Sequence, residues 1–91
     1  MKRDILWTSK FKRDYKLAEK RNKDMSLMDD CIRMLAVRAE LAPKYRDHEL
    51  SGNWAGHREC HIQPDWLLIY RIEDDDLILV LTRTGSHSDL Y

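Results

Sequence analysis

The four histidines of this chain all lie in its second half, and they are the residues best suited to acid–base chemistry. They are His48, His57, His61 and His87. Histidine titrates near pH 6.5, so neighbouring imidazoles can accept and donate protons at neutral pH. A lone histidine is more often an ordinary surface or core residue, so the spacing of these four has to decide whether they form a site.

The stretch HIQPDWLLIY, residues 61–70, places an imidazole and a carboxylate on either side of a short turn. If residues 63–64 form a two-residue turn between two strands, His61 lies opposite Trp66 and within diagonal reach of Asp65. An imidazole and a carboxylate would then lie at the same end of a hairpin.

Two further histidines can reach the same end of the sheet. His87 follows the next strand, and Gly85 allows the chain to turn beyond that strand. His48 lies in the loop before the sheet and could fold over the same edge, whereas the spacing leaves the direction of His57 open. We therefore predict a catalytic group made of His48, His61, Asp65 and His87.

Cations and aromatic rings near this group would suit a phosphodiester of RNA. Arg58 and Arg83 can bind a phosphate through their planar guanidinium groups, although a salt bridge, to Asp65 or Glu59 for example, is the simpler role for each. The rings of Trp66 and Tyr91 could stack on bases, with Trp66 equally able to pack under the helices.

Cleavage of RNA through its own 2′-hydroxyl needs a base for that hydroxyl, cations for the charged phosphorane and an acid for the leaving oxygen. No metal or cofactor is needed for this reaction. A zinc site built from the histidines is a weaker hypothesis, because the chain lacks a close pair such as H-x₃-H.

The composition indicates one small globular domain spanning residues 1–91. Apolar residues make up 43% of the chain and charged residues 35%, which is not typical of a disordered chain. The longest apolar runs are far shorter than the ~20 residues that cross a bilayer. With no secretory signal, we expect a cytoplasmic protein, and the two cysteines are expected to be reduced thiols in the core.

The charges are unevenly distributed along the chain. Residues 1–23 contain nine Lys and Arg residues against three Asp and Glu residues, a net charge of +6, and the remaining residues carry −6. A basic segment can bind nucleic acid, but it is just as often a solvated helix face.

The hydrophobic pattern predicts an α+β fold, with two N-terminal helices packed on a twisted antiparallel β-sheet. A short strand at residues 4–9 precedes a helix over 10–23, which Ser9 would cap, and a second helix runs from Ser26 to about Glu40. Alternating and continuous apolar runs then predict three strands, over 57–62, 65–72 and 77–84, with acidic residues 73–76 as a hairpin loop.

Three stretches of the chain resemble the YafQ-type toxins of the RelE superfamily, the toxin halves of bacterial type II toxin–antitoxin pairs. They are YKLAEKRNKDM in the helical part, YRDHELSGNWAGHRECHIQPDWLLIYRI in the middle and LTRTGSHSDLY at the end. The resemblance covers nearly the whole chain, with L-x-G-x-W-x-G-x-R, H-[IV]-x-P-D-W-x-L-I-Y and R-T-G-[ST]-H in the expected order.

The resemblance implies a RelE-like fold and a ribosome-dependent mRNA endonuclease. It implies a cognate antitoxin that neutralises the toxin and represses the operon, so DNA would be contacted only through the antitoxin complex. By the same resemblance His87 is the general acid, and His61 or Asp65 with His48 forms the base side. Arg83 would contact phosphate, and Trp66 and Tyr91 would contact RNA.

Some features depart from the family pattern. The family often has Arg-Asp-x-His where this chain has Arg58-Glu59-Cys60-His61, and its terminal aromatic residue is often Phe. A related branch of the superfamily poisons DNA gyrase without cleaving RNA, and an inactive antitoxin-binding module is a further alternative. The histidine set favours the nuclease, because a protein that only binds has no need of it.

Overall fold

The computed structural model describes residues 2–91 as one five-stranded sheet with the two long helices on one face. The elements in chain order are β1 (Asp4–Trp7), α1 (Ser9–Lys20), α2 (Met25–Ala36), β2 (His48–Glu49), β3 (Arg58–Gln63), β4 (Trp66–Glu73), β5 (Ile78–Gly85) and α3 (His87–Leu90). The strand order across the sheet is β1-β5-β4-β3-β2. The α+β fold expected from the sequence is confirmed.

The first strand differs from the antiparallel arrangement that the sequence predicts. β1 pairs with β5 in parallel, with Asp4 beside Ile78 and Trp7 beside Leu81, while all the other pairs are antiparallel. An alternating pattern shows that a strand exists but not its direction. The parallel pairing arises because the chain crosses over through α1 and α2 before it returns to the sheet.

Both long helices begin and end a little away from the expected residues. The side chain of Thr8 caps α1 by accepting from the Phe11 N–H, and the side chain of Asp24 caps α2 by accepting from the Ser26 N–H. α2 ends at Ala36 rather than near Glu40, two residues before a left-handed backbone conformation at residue 38. No helix within residues 2–91 is long and apolar enough to cross a membrane.

Side chains of β4 alternate between two apolar clusters. Trp66, Leu68 and Tyr70 face the helices and join the main core, whereas Leu67 and Ile69 face the other side, where Leu90 covers them. Burying each such side chain stabilises the fold by about 1.5–3 kcal/mol, and the second cluster holds the short helix α3 on the sheet.

The two cysteines confirm the expectation of buried free thiols. Cys31 on α2 and Cys60 on β3 are both fully buried, and their sulfur atoms lie 3.5 Å apart. The hydrogen bond with Cys31, and then burial, raise the pKa of the Cys60 thiol. Cys60 thereby fixes β3 against α2 on the face of the sheet that the helices cover.

The tight turn between β3 and β4 falls one residue later than predicted. The turn residues are Pro64 and Asp65, and a β-bulge near residue 62 places Gln63 opposite Trp66 and His61 opposite Leu67. Proline suits the first turn residue because its φ is already close to the value that the turn needs. The shift moves Asp65 from the start of a strand to the exposed tip of the hairpin.

The turn between β4 and β5 is exposed to solvent but is also held by charge pairs. It spans residues 74–77, and the carboxylate of Asp76 binds both Arg3 and Arg38. This contact keeps the pKa of Asp76 below its usual value, mainly through the hydrogen bond from Arg3. The turn is therefore tied to the N-terminus and to the end of α2.

Candidate active site

The face of the sheet opposite the two long helices carries Glu59 and His61 of β3. Successive side chains of a strand point to opposite faces, so Cys60 and Ile62 enter the core while Glu59 and His61 face away from it. β2 pairs with β3 so that His48 lies beside Glu59. His48 thus belongs to a two-residue strand rather than to the loop that the sequence suggested.

Glu59 lies at the centre of this group. Its Oε1 atom is 3.6 Å from Nε2 of His48 and 3.7 Å from Nε2 of His61, and its Oε2 atom accepts a hydrogen bond from the Tyr91 hydroxyl. Only 6% of its side chain is exposed. Sequence reasoning missed Glu59 as a site residue, although the period-two alternation of β3 places it on the same face as His61.

The other ring nitrogens of these two histidines bind backbone carbonyl groups. Nδ1 of His48 is 2.7 Å from the carbonyl oxygen of Arg46, and Nδ1 of His61 is 3.3 Å from that of Pro64. A carbonyl oxygen only accepts, so each Nδ1 carries the hydrogen and donates. In the neutral rings, therefore, both Nε2 atoms present a lone pair to Glu59.

His87 forms a second centre together with Asp65. One carboxylate oxygen, Oδ1 of Asp65, accepts both from the His87 backbone N–H at 2.9 Å and from its Nδ1 at 2.6 Å. The backbone bond and then the ring bond hold the pKa of Asp65 below its usual value. Asp65 is therefore a carboxylate at neutral pH, and it leaves Nε2 of His87 free.

The two centres lie side by side. The ring centroids of His61 and His87 are 6.0 Å apart, and those of His48 and His61 are 6.2 Å apart. The structure thus brings together His48, His61, Asp65 and His87. The carboxylate of Asp65 binds His87, however, and not His61 as the expected hairpin register had suggested.

Tyr91 lies at the open side of the site, where its ring can meet a ligand. It is 60% exposed, and its ring centroid is 6.4 Å from that of His87. Burial of the hydroxyl, followed by the hydrogen bond to Glu59, raises the pKa of Tyr91. The phenol therefore stays protonated at neutral pH and donates to the carboxylate.

Trp66 requires a correction, because it does not face the site. Only 1% of this residue is exposed, and its indole N–H donates to the hydroxyl of Thr84 at 3.0 Å. The one-residue shift of the turn makes Trp66 the first residue of β4, on the face that packs against the helices. Trp66 packs in the core on the helix-facing side of the sheet and cannot stack on a bound base in this conformation.

Arg58 requires a second correction. It lies on the helix-facing side of β3, where its guanidinium binds the carboxylate of Asp47 at 3.0 Å. Asp47 also accepts from the Tyr70 hydroxyl. The same alternation that places Glu59 and His61 on one face puts Arg58 on the other, and its salt bridge goes to neither of the acids that the sequence suggested.

Arg83 is bound to α1 and borders a cleft beside the site. Its Nε and Nη2 atoms bind the carboxylate of Asp14 at 2.7 and 3.2 Å. The cleft has a volume of about 540 Å³, and Asp65, Ser86 and Lys23 also line it. None of the histidines lines this cleft, so Arg83 is separated from them, but Asp65 borders both the cleft and His87.

His57 lies apart from the other histidines. Its ring packs edge-on against Trp54 with the centroids 5.3 Å apart, within the loop that covers the second apolar cluster. The direction that the sequence left open is therefore resolved: His57 belongs to the support of the sheet.

A family model described as the bacterial toxin of type II toxin–antitoxin systems, YafQ, matches residues 3–91. The chain belongs to the YafQ toxin family. The resemblance seen in the sequence motifs is thereby confirmed over almost the whole chain.

Individual relatives agree with this placement. The "mRNA interferase toxin YafQ" of Escherichia coli K12 is 39% identical over 92 residues, covering 100% of this chain and 98% of the relative. The crystal structure of the E. coli DinJ–YafQ toxin–antitoxin complex matches with a TM-score of 0.90 and 39% identity, over 100% of this chain and 99% of the other. A metal-bound toxin from Helicobacter pylori matches with a TM-score of 0.91 and 42% identity over the full length of both chains.

The four residues predicted to carry the acid–base chemistry lie together in the structure. His48, His61, Asp65 and His87 come from four different segments, namely β2, β3, the β3–β4 turn and α3. Glu59 and Tyr91, which stand where the YafQ pattern often has Asp and Phe, contact each other. The longer side chain of Glu59 and the hydroxyl of Tyr91 thus form one hydrogen bond.

Proposed function

We propose that this chain is the toxin of a type II toxin–antitoxin system and an endoribonuclease that cleaves mRNA on the ribosome. The observation that carries the proposal is the pair of separate proton-transfer centres, His48–Glu59–His61 and Asp65–His87, on one open face. The E. coli relative, named as an mRNA interferase, supports the choice of RNA as substrate. The chemistry below requires no metal ion.

The base belongs to the His48–Glu59–His61 centre. A neutral Nε2 of His61, or of His48, removes the proton from a ribose 2′-hydroxyl. The O2′ atom then attacks the adjacent phosphorus, and the bond from phosphorus to the 5′-oxygen breaks. The products are a 2′,3′-cyclic phosphate and a 5′-hydroxyl.

The acid is His87. Its Nε2 donates a proton to the leaving 5′-oxygen while Asp65 holds the opposite side of the ring. In an in-line displacement the attacking and leaving oxygens lie on opposite sides of the phosphorus. The 6.0 Å between the rings of His61 and His87 allows each ring to reach one oxygen at a hydrogen-bond distance of about 3 Å.

Tyr91 and Arg83 are our proposed contacts to the RNA. The exposed ring of Tyr91 can stack on a base next to the scissile bond, as aromatic rings do in many RNA-binding proteins. Two nitrogens of Arg83 bind Asp14, and the third can approach a phosphate at the cleft. The basic N-terminal segment, residues 1–23, would contact ribosomal RNA or the antitoxin.

The partners follow from the same proposal. The ribosome and mRNA are the targets, which places the action in the cytoplasm. A cognate antitoxin would neutralise the toxin, as implied by the E. coli structure described as a DinJ–YafQ toxin–antitoxin complex. Contact with operator DNA would be indirect, through that complex.

Mapping of mRNA ends tests this proposal. The purified chain is added to ribosomes translating a defined mRNA, and the new ends are located by primer extension. We expect cleavage by the parent and by His57→Gln, a histidine outside the site, and a large loss with His87→Ala. Intact mRNA together with stalled DNA gyrase would instead identify the gyrase-poisoning alternative, and intact mRNA with active gyrase would leave only the antitoxin-binding module.

A further inference from the structure

We propose that a groove beside the histidines binds the nucleotide on the 5′ side of the scissile phosphate, with Tyr45 contacting its base and Lys44 and Arg46 binding its 5′-phosphate. The groove has a volume of about 470 Å³. Residues 44–46 form one wall, and residues 61–64, at the end of β3 and the start of the turn, form another. That the ligand is mRNA rests on the proposed nuclease function.

The groove adjoins the base centre of the site. His61, one of the two candidate bases, lines it, and the carbonyl oxygen of Arg46 accepts from Nδ1 of the other candidate, His48. The base removes a proton from the ribose on the 5′ side of the scissile phosphate, so that ribose has to lie against one of these rings. The acid, His87, does not line the groove. The groove therefore belongs to the 5′ side of the scissile bond.

The lining of the groove suits a nucleobase. Sites for small molecules typically have volumes of about 300–1,000 Å³, mostly apolar walls and a few polar groups. Leu27, Ile62 and Pro64 supply apolar walls, and Tyr45 supplies an aromatic ring. Aromatic rings bind the unpaired bases of RNA by stacking. A flat base is therefore the part of an mRNA that fits here.

The hydroxyl group of Tyr45 is available to a ligand. The hydroxyl groups of Tyr15, Tyr70 and Tyr91 each donate to a carboxylate, whereas that of Tyr45 has no hydrogen-bond partner within residues 2–91. Burial raises the pKa of Tyr45, so the phenol stays protonated at neutral pH. It can donate to or accept from the edge of a base, and because the four bases differ in their edges, this contact gives the groove a base preference.

Two cations at the groove are free to bind a phosphate. Within residues 2–91, neither Lys44 nor Arg46 forms a salt bridge. The ammonium group of Lys44 lies 5.3 Å from the centroid of the Tyr45 ring, a cation–π contact that holds it beside the bound base. Arg46 has a left-handed backbone conformation, with a φ of 48°, and such conformations are concentrated at functional sites. Both charges are thus left for a negatively charged ligand.

The position of the groove favours RNA over a segment of the antitoxin as its occupant. An acidic peptide would match the two cations equally well. Only RNA, however, also explains why the groove shares His61 with the base centre, since the attacking ribose and its own base belong to one nucleotide. An antitoxin segment in the groove is the alternative that the experiments below distinguish.

Cleavage of two matched sets of mRNAs tests the base contact. One set differs only in the nucleotide on the 5′ side of the cleavage point and the other only in the nucleotide on its 3′ side, and single-turnover rates are measured on translating ribosomes. Tyr45→Phe should reduce the preference at the 5′ position by roughly 2- to 12-fold, the effect of one net hydrogen bond, and should leave the 3′ preference unchanged. Tyr70→Phe, which removes a hydroxyl outside the groove, should change neither. An unchanged 5′ preference in Tyr45→Phe, or an altered 3′ preference, would overturn the assignment of Tyr45.

The salt dependence of cleavage tests the two cations. Lys44→Met and Arg46→Met should each reduce by about 1 the slope of log affinity for the mRNA–ribosome complex against log salt concentration, without changing the rate at saturating protein. Arg33→Met is the matched control, because Arg33 is an exposed arginine on α2 that already pairs with Asp30, and it should keep the parental slope. Parental slopes in both groove variants would overturn the phosphate contact.

Nuclear magnetic resonance of the isolated protein separates the groove from the nuclease function. The probes are dinucleotides with each of the four bases on a 2′-deoxy first ribose, which cannot be cleaved through that hydroxyl. Amide shifts should change at residues 44–46 and 61–63, and Tyr45→Leu should weaken binding by roughly 5- to 150-fold, the usual contribution of stacking on an aromatic ring.

Each other outcome of this titration has a distinct meaning. A chain that cleaves mRNA but shows no shift changes at the groove would refute the groove alone. Groove binding by a chain that cleaves no mRNA on ribosomes would refute the nuclease function alone. Shift changes at the groove with the cognate antitoxin but not with the dinucleotides would overturn the proposal and assign the groove to the antitoxin.

Discussion

The hydrogen bonds between Asp65 and His87 lead to a specific prediction for the substitution Asp65→Asn. Oδ1 of Asp65 accepts from both the backbone N–H and the ring Nδ1 of His87. The uncharged amide of asparagine keeps a carbonyl oxygen for the backbone bond, but it no longer provides a charged acceptor for the ring. The ring of His87 would then lose its fixed orientation while the residue remains present.

The expected magnitude lies below that of removing the acid itself. One positioned acid or base contributes about 10²–10⁴ in rate, so we expect His87→Ala to lose activity near the upper end and Asp65→Asn to lose about 10²-fold. Because Asp65 acts through His87, the double variant should be no worse than His87→Ala alone. The assay is the rate of appearance of mapped mRNA ends on translating ribosomes under single-turnover conditions.

A control and a stability measurement complete the experiment. Asp75 is an exposed acid in the β4–β5 turn with a positive φ that asparagine tolerates, so Asp75→Asn should cleave like the parent. Asp65 is exposed, and its loss should hardly change the melting temperature. The reasoning is refuted if Asp65→Asn cleaves at the parental rate, or if the losses of the two single variants multiply in the double variant.

Three further predictions concern the scaffold. Trp66→Phe should lower the free energy of unfolding by about 2 kcal/mol, roughly half from the lost hydrogen bond and half from the space left in the core, while the folded protein still cleaves mRNA. Urea unfolding and a cleavage assay on the same sample measure both effects. A variant that is stable but inactive would show that Trp66 belongs to the site. Arg58→Met should lower the free energy of unfolding by roughly 1–2 kcal/mol, because it leaves the part-buried carboxylate of Asp47 with one partner fewer. Cleavage per folded molecule should be unchanged. A loss of cleavage without a loss of stability would instead support a contact between Arg58 and phosphate. The pKa values of Asp76 and Asp89 are lowered by Arg3 and by the Ser86 backbone N–H, respectively. Their stabilising effect is therefore complete above the pKa of an unfolded aspartate, near 4, and is lost as the pH falls through the lower folded values. The urea concentration at the unfolding midpoint should decrease as the pH is lowered below about 4, and an increase there would contradict the assignment.

The sequence indicated the fold and the candidate acid–base residues for different reasons. Apolar periodicity was enough for the two long helices and for β3 to β5, because buried faces impose that pattern on a chain. Apolar periodicity could not predict the direction of β1, because parallel and antiparallel strands show the same alternation of side chains. The acid–base residues came from the spacing of the histidines and from the family motifs, not from the composition.

The errors in the site follow from the facing of single residues. A shift of one residue in the turn moved Trp66 from the mouth of the hairpin into the core and put Asp65 at the tip, where it meets His87. Proline marked the turn but did not fix which of its neighbours would share it. Register of this kind depends on the bulge near residue 62, for which the sequence carries no clear signal.

Strict alternation along β3 determines which of its residues face the site. Residues 59 and 61 must share one face and residues 58 and 60 the other. That rule includes Glu59 in the site and excludes Arg58. Alternation cannot predict the contact between Glu59 and Tyr91, because these two residues are 32 positions apart in the sequence.

The chemistry of the cleaved ends shows whether the 2′-hydroxyl is the attacking group. A ribosome-bound mRNA is prepared with a single 2′-deoxynucleotide on the 5′ side of the mapped cleavage point, beside an all-ribose control. If a base at His48 or His61 activates the 2′-hydroxyl, the control gives a 2′,3′-cyclic phosphate and a 5′-hydroxyl, and the deoxy substrate is not cut there. Cleavage of the deoxy substrate, or 5′-phosphate ends from the control, would contradict the proposed mechanism.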